Sequence, residues 1–498
     1  MNIVFNKKNI FFTMFVLSIT INLICLESGG NTILKNPEIP RIDKTCFIVR
    51  KNEVKNLGNE RKENDILKSN EDVLDGYLLM APEFSTKTYL INREGKIVHT
   101  WTSTHIQGLG VYLLENGNLF RSCSSALNWN FTHGGAGGYV ELFDWNGTVI
   151  WEFEYVSDNY CMHNDILPLP NGNILIGAWE RKTSDEVIAA GGDPQIQRGK
   201  DLLIDHIIEV QPNGSKGGNI VWEWHVWDHL IQDYDSSKEN YGVIKEHPEL
   251  IDINSDRIIR NFFGWGMSSY IFYREFRSYD FCHLNSFDYN EELDQILISV
   301  RNLNEIWVID HNITIEEAAS HSGGRYGKGG DILYRWGNPE HYAAGTSDDQ
   351  QLFAQHDARW VKAGCPGAGH IAIFNNGIGR PGLDHSSVIE IIPPLNDDGT
   401  YCKENGHAYG PEEPVWEYSY NHPFIFYSLM CGSVQKLPNG NIFICSGWRR
   451  GLFLEVNHEK EIVWSYVNLR PFPGINNVFK FQWYPVDYPG LNNLTNLT

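Results

Sequence analysis

Val149-Ile150-Trp151-Glu152-Phe153 is one of six copies of the same short pattern. The others are Ile97-Val98-His99-Thr100-Trp101, Ile220-Val221-Trp222-Glu223-Trp224, Ile332-Leu333-Tyr334-Arg335-Trp336, Val415-Trp416-Glu417-Tyr418 and Ile462-Val463-Trp464-Ser465-Tyr466. Large apolar side chains alternate with polar ones, the period of a strand with one buried face. Working outward, LENGN at 114–118 and LPNGN at 169–173 and 437–441 are Asn-Gly hairpin turns, which need left-handed backbone. A further strand precedes several copies, as in YLINREGK at 89–96 and FLEVNHEK at 453–460. Strand, hairpin and strand repeated six times predict an all-β, six-bladed β-propeller over 76–490; two β-sandwiches are the alternative. The uneven spacing reads as insertions. The largest, 225–280, has helical-looking polar stretches such as SSKENYGVIKEHPELI and is expected to be partly helical and to cap one face.

The composition agrees with a large β protein: 498 residues, 16 Trp, 23 Tyr, 25 Phe and 46 Gly beside only 6 Met. A net charge of −22 excludes nucleic acid and anionic membrane surfaces as partners and requires a local cationic pocket for any anionic substrate. Residues 1–28 read as a secretory signal peptide, with Lys7 and Lys8 ahead of an apolar run at 10–26; an uncleaved anchor is the alternative. Export to a secretory lumen, the exterior or a periplasm fits six glycosylation sequons, at Asn130, Asn146, Asn213, Asn312, Asn493 and Asn496. Nine cysteines, with Cys25 in the signal, leave eight for disulfides or buried thiols. A polar segment spans 29–75 and a polar tail 491–498.

Propeller blades present the starts of their innermost strands to a central channel. Candidate starts are Met162-His163-Asn164-Asp165, Cys282-His283-Leu284-Asn285, Gln355-His356-Asp357 and Gly432-Ser433-Val434-Gln435. Three histidines at equivalent places in three blades, with Arg301 on the strand hairpinned to that of His283, form a set with chemical potential. Neutral imidazole serves as nucleophile, acid or metal ligand, and arginine's fork suits sulfate, phosphate or carboxylate. The fixed arginine charge opposes a metal ion, so none is expected. Asp165, Asp288 and Asp357 are expected to orient imidazoles or backbone. His229 and Asp228 are read as lining an entrance or packing a turn, and His311, His321 and His341 as solvated loop residues.

At these residues the sequence resembles the PAPS-independent aryl-sulfate sulfotransferases. The resemblance runs in order through WHVWDHL at 224–230, HLNSFDYN at 283–290, QILISVRNLNEIWVID at 295–310, LYRWGNP at 333–339, LFAQHDARWV at 352–361 and IFNNG at 373–377. It implies an enzyme that moves a sulfuryl group from a phenolic sulfate to a phenolic acceptor by a ping-pong route, with no nucleotide and no cofactor. It also implies His356 as the nucleophile that becomes sulfated, and His283, Asn285 and Arg301 around the sulfuryl oxygens. His283 is then the proton donor to the departing phenoxide and His163 a further channel histidine. Where some relatives carry a Lys-Thr pair, this chain has Gly432-Ser433, leaving Ser433 as a candidate hydrogen-bond donor without the charge. The segment before Gly76 is too short for the β-sandwich that bacterial members can carry, and no oligomeric state follows. Two other readings stand beside this one: a metal-dependent propeller enzyme such as a lactonase or oxygenase, and a propeller that only binds a ligand or partner.

Overall fold

In the computed structural model, which describes residues 66–494 except 70–72, 126–129, 132, 198, 256–277, 421–422, 449–450 and 472–475, the repeated pattern becomes the fourth strand out from the axis in each blade. In blades 1 to 5 four antiparallel strands run outward from the axis in chain order. Blade 1 comprises Gln107–Leu113, Leu119–Ser124, Gly138–Phe143 and Val149–Glu154. Blade 2 comprises Tyr160–Pro168, Ile174–Lys182, Asp201–Pro212 and Gly218–His225. Blade 3 comprises Leu284–Asn290, Gln295–Val300, Glu305–Asp310 and Tyr334–Trp336. Blade 4 comprises His356–Trp360, Ile371–Asn375, Ser387–Ile391 and Trp416–Ser419. Blade 5 comprises Ser433–Lys436, Ile442–Ser446, Leu452–Val456 and Ile462–Val467.

Blade 6 closes the ring with both ends of the propeller. Its inner strand, Val478–Pro485, pairs with Gly76–Pro82, which is followed by Lys87–Asn92 and Ile97–Thr102. A strand at Ile66–Ser69, within the segment read as a polar leader, pairs antiparallel with Ile462–Val467 as a fifth strand of blade 5. The inner strands touch in sequence around the axis, blade 1 to blade 6 and back to blade 1. The Asn-Gly turns form as expected: Leu114, Leu169 and Leu437 donate to the carbonyls of Asn118, Asn173 and Asn441 at 2.8, 2.9 and 2.8 Å.

The recurrent tryptophan has a physical reason. In every blade an outer-strand indole donates to a backbone carbonyl of the next blade: Trp101 to Asp144, Trp151 to Gly217, Trp224 to Gly330, Trp336 to Pro411, Trp416 to His458 and Trp464 to Arg93. These bonds span 2.7 to 3.2 Å. Each latch combines a buried ring, whose area supplies most of the energy, with a hydrogen bond contributing about 1 kcal/mol. Near the axis, carboxylates do the same work. Asp165 accepts from the Phe287 amide, Asp288 from Trp360 and Asp357 from Val434, each in the next blade. The three aspartates therefore orient backbone, not imidazoles.

The described part of the insertion, 226–255 and 278–280, contains two single 3-10 turns, Val226–His229 and Ile244–Glu246, and short strand pairings. Its helical character is confined to those turns, because Gly242 and Pro248 interrupt the stretch read as a helix. Arg335 in the outer strand of blade 3 donates to the carbonyls of Pro248 and Leu250 and holds it down. The signal, Cys25, Cys46 and Asn496 lie outside the described residues. The seven described cysteines form no disulfide with one another, and five of them are buried.

Candidate active site

The inner strands do not run straight into the channel mouth; each histidine-bearing strand is bulged there. The ladder of blade 2 slips between Ile176 and Ala178, so that His163-Asn164-Asp165 stand opposite Gly177 alone. Matching irregularities follow Leu284 and His356. Asn164, His283 and Asp357 have φ of 55°, 53° and 50°, a left-handed region that Asn and Asp tolerate best. A bulge re-aims side chains that a regular strand would alternate between faces. Gly177 is needed opposite, since a Cβ there would lie 3.0 Å from the His163 carbonyl and from the Phe287 ring.

His356 is almost fully buried. Its Nδ1 lies 2.7 Å from Asn376 Oδ1 and 3.2 Å from the Ala354 carbonyl. The Asn376 amide nitrogen is committed to the carbonyls of Ser428 and Cys431, at 2.8 Å each, so its oxygen faces the imidazole. Both partners of Nδ1 are acceptors, which places the proton on Nδ1 and leaves the lone pair on Nε2. Among the described residues nothing hydrogen-bonds Nε2. Burial, then the Arg301 charge, lowers the pKa of His356 to about 3, so the imidazole is neutral throughout the physiological range.

Arg301 lies in electrostatic reach of His356 and, among the described residues, forms no ion pair. Its side chain donates to Asn302 Oδ1 at 2.8 Å. Burial lowers its pKa, opposed by Asp280, Cys431 and Tyr427. His283 follows in the channel with Nδ1 2.5 Å from Asp280 Oδ2. Burial alone would raise the Asp280 pKa, but His283, through charge and hydrogen bond, pulls it well below the usual carboxylate range. Asp280 also accepts from Trp179 Nε1 at 3.1 Å, which fixes the carboxylate.

His163 has both nitrogens occupied: Nδ1 by Asp205 at 2.8 Å and Nε2 by the Asn164 amide at 2.7 Å. Its side chain is 0% exposed, and its ring stacks on Trp179 at 3.5 Å and stands edge-on to His283 at 4.6 Å. It therefore buttresses His283 rather than facing the channel. Asn285 is likewise sealed, at 0% exposure, and donates to the Gln355 carbonyl at 2.7 Å, which anchors the residue ahead of His356. Ser433 is also 0% exposed, and its oxygen accepts from the Phe481 amide at 3.3 Å. These three positions support the mouth; His356, Arg301 and His283 form it.

Sequence reasoning passed over Asp280, Trp179, Asn376 and His133. Asn376 lies within IFNNG, but its role depends on a loop from blade 5 that no local pattern announces. His133, in the connection between the second and third strands of blade 1, is within electrostatic reach of Asp280 and His283. Phe479 places its ring 5.8 Å from that of His356, and Tyr427 lies near Arg301, so aromatic surface adjoins the cation. The ligand-capable atoms of His163, His283 and His356 do not gather into a metal-binding cluster.

A family profile, Arylsulfotransferase (ASST), matches residues 59–465. Among solved structures the chain is similar to a protein of unknown function from Bacteroides caccae, with 11% identity and a TM-score of 0.41 over 82% of this chain and 99% of that one. It is also similar to a putative 6-phosphogluconolactonase from Bacteroides fragilis, with 10% identity and a TM-score of 0.37 over 83% and 99%. A third is apo AztD from Citrobacter koseri, with 8% identity and a TM-score of 0.37 over 83% and 98%. No curated protein matches the chain. With the profile spanning most of the propeller and all three residues of the mouth, the chain belongs to the arylsulfotransferase family and is an aryl-sulfate sulfotransferase.

Proposed function

We propose that the enzyme transfers a sulfuryl group from an aryl sulfate to a phenolic acceptor through a sulfohistidine at His356. The observation that carries this is the tautomer of His356: Nδ1 is committed to acceptors, and Nε2 is left with its lone pair beside an arginine that forms no ion pair among the described residues. In the first half-reaction Nε2 forms a bond to sulfur as the bond from sulfur to the aryl oxygen breaks. The phenoxide takes a proton from His283, which Asp280 holds in place. In the second, the acceptor hydroxyl gives its proton to His283, its oxygen bonds to sulfur, and the N–S bond breaks. Arg301 stabilises charge on the peripheral oxygens in both halves, as in phosphoryl transfer.

The secretory route and glycosylation belong to the same proposal. Asn146, Asn213 and Asn312 are exposed and follow the third strands of blades 1, 2 and 3. In an antiparallel meander these connections lie on the face opposite the starts of the inner strands, so glycans there leave the mouth clear.

The test uses purified enzyme with a nitrophenyl sulfate, with and without phenol, and no nucleotide. Nitrophenol release that rises with phenol and disappears in His356→Ala supports the reading. Release indifferent to phenol would make the protein a hydrolase, and release surviving in His356→Ala would remove the nucleophile.

A further inference from the structure

At the outer edge of blades 2 and 3, away from the channel, His229, His321 and Asp331 converge. Their ligand-capable atoms lie within 4.8 Å of one another. His229 stands where the insertion leaves blade 2. His321 and Asp331 bracket the connection to the outer strand of blade 3, and five glycines lie between them. Asp331 Oδ1 is 2.8 Å from His229 Nδ1 and 2.8 Å from His321 Nδ1. On its far side His229 places Nε2 2.9 Å from the Ala318 carbonyl.

The proton count is the point of interest. A neutral imidazole has one N–H, yet His229 faces an acceptor at each nitrogen. The carbonyl can only be served by Nε2–H, which turns the Nδ1 lone pair towards a carboxylate oxygen. The facing pair is met either by a proton shared between the two groups or by a metal ion that both ligate. His311 shows the proton solution in this same protein. It has one carboxylate per nitrogen, Asp294 at 2.7 Å and Glu209 at 3.0 Å, and those hydrogen bonds outweigh burial and raise its pKa to about 9. His229 is arranged differently: one nitrogen faces a neutral carbonyl, and the other shares a single carboxylate oxygen with a second imidazole. An outward N–H donated to a backbone carbonyl is how metal-bound histidines are oriented.

Packing fixes the ring as well. Trp224 stacks on His229 with ring centroids 5.4 Å apart and donates to the Gly330 carbonyl at 2.7 Å. A Cβ on Gly330 would lie 2.8 Å from His229 Cε1 and Nε2, so bare backbone is needed there. Among the described residues Asp331 forms no ion pair with lysine or arginine, its partners being the two histidines. The other candidate trio, His105, Cys123 and Glu141, fails on this ground: Arg121 donates to Cys123 Sγ at 2.8 Å and lies 3.6 Å from Glu141.

We propose that His229 Nδ1, His321 Nδ1 and Asp331 Oδ1 bind a divalent transition metal ion, zinc by the chemistry of the donors. Water completes the tetrahedron on the side where His321 is 57% exposed. The ion is structural: it clips the glycine-rich connection of blade 3 to the insertion of blade 2, where ordering five glycines is costly in entropy.

The test uses the full-length protein, stripped with chelator and titrated with zinc and with cobalt. The expected results are one zinc per chain, visible ligand-field bands with cobalt, and a melting temperature raised by zinc. His321→Ala, at an exposed position, and Asp331→Asn should each weaken zinc binding at least about 100-fold, since loss even of an outer partner costs 10–100-fold. Sulfuryl transfer at room temperature should survive the chelator, so the outcome is independent of the reaction at His356. A wild-type protein that binds no zinc, or variants that bind it as tightly, would overturn the site.

Discussion

Two clusters of charge sit one above the other in this propeller and are built on opposite principles. At the mouth, Arg301 is half-buried beside a neutral imidazole and forms no ion pair among the described residues. Arg359, three residues after His356 on the inner strand of blade 4, and Lys480, on the inner strand of blade 6, are buried and saturated. Lys480 lies 2.6 Å from Asp165 and 3.2 Å from Asp357. Arg359 is 2.7 Å from Asp357 and donates to Gln482 and the Phe481 carbonyl. Two cations and two carboxylates cancel along the axis, and the blades are tied together by them. A buried cation with its carboxylates in place is structural; one without them is a seat for an anion. Lys480 also answers the expectation raised by Gly432-Ser433: an ammonium does reach the axis, from blade 6, but it is already neutralised.

The comparison can be broken from either side. The largest effect is expected below. Lys480→Met leaves the buried Asp165 without a counter-ion, while Asp357 keeps Arg359, and should cost about 3–5 kcal/mol of folding stability, read as a lower denaturation midpoint. At the mouth, Arg301→Met should lower kcat/KM by about 10²–10³, the scale for removing a transition-state donor, with the denaturation midpoint unchanged or raised. If the two variants exchanged phenotypes, the division between seat and staple would be wrong.

Acid sharpens the same contrast. His356 and His206 are both buried and both lowered to about 3, chiefly by burial. Between roughly pH 6.5 and 3 the unfolded chain holds protons that the folded chain refuses. Stability should therefore fall as pH drops through that window, by about 1.4 kcal/mol per pH unit for each fully buried histidine, and level off below it. His311 carries the opposite sign. Its pKa is raised, so its contribution is fully present below pH 6.5 and is lost as pH rises through 9. Denaturation curves across pH for His206→Gln and His311→Gln should tilt in opposite directions. The smallest effect belongs to the hydrogen bonds of the latches, about 1 kcal/mol each; Trp151→Phe loses the bond to Gly217 together with part of the buried indole, so its cost should exceed that figure.

The latches also show what the sequence made legible. Trp101, Trp151, Trp224, Trp336 and Trp464 stand at strand period in a repeated frame, so six outer strands could be read from one chain. His163, His283 and His356 were equally visible, because each opens an inner strand. Their division of labour was not. Whether a histidine faces the channel or is capped from within depends on Asn164, Asp205 and Asn376, and on bulges whose register is set across strands. His311, read as a solvated loop residue, is a half-buried cation between Asp294 and Glu209, and His341 is buried near Glu305. Those partners lie on other strands, so local polarity misplaced both histidines. The strand at Ile66–Ser69 was hidden for a related reason: a short edge strand is defined by its partner, Ile462–Val467, more than by its own pattern.

The central claim is that His356 Nε2 is the nucleophile, and it is tested most directly by trapping the intermediate. Enzyme mixed with an aryl sulfate in the absence of acceptor, quenched at alkaline pH and digested, should carry one sulfuryl group on the peptide containing His356. The group should vanish when phenol is added before the quench. A burst of phenol release with no adduct, or an adduct on any other residue, would contradict the account.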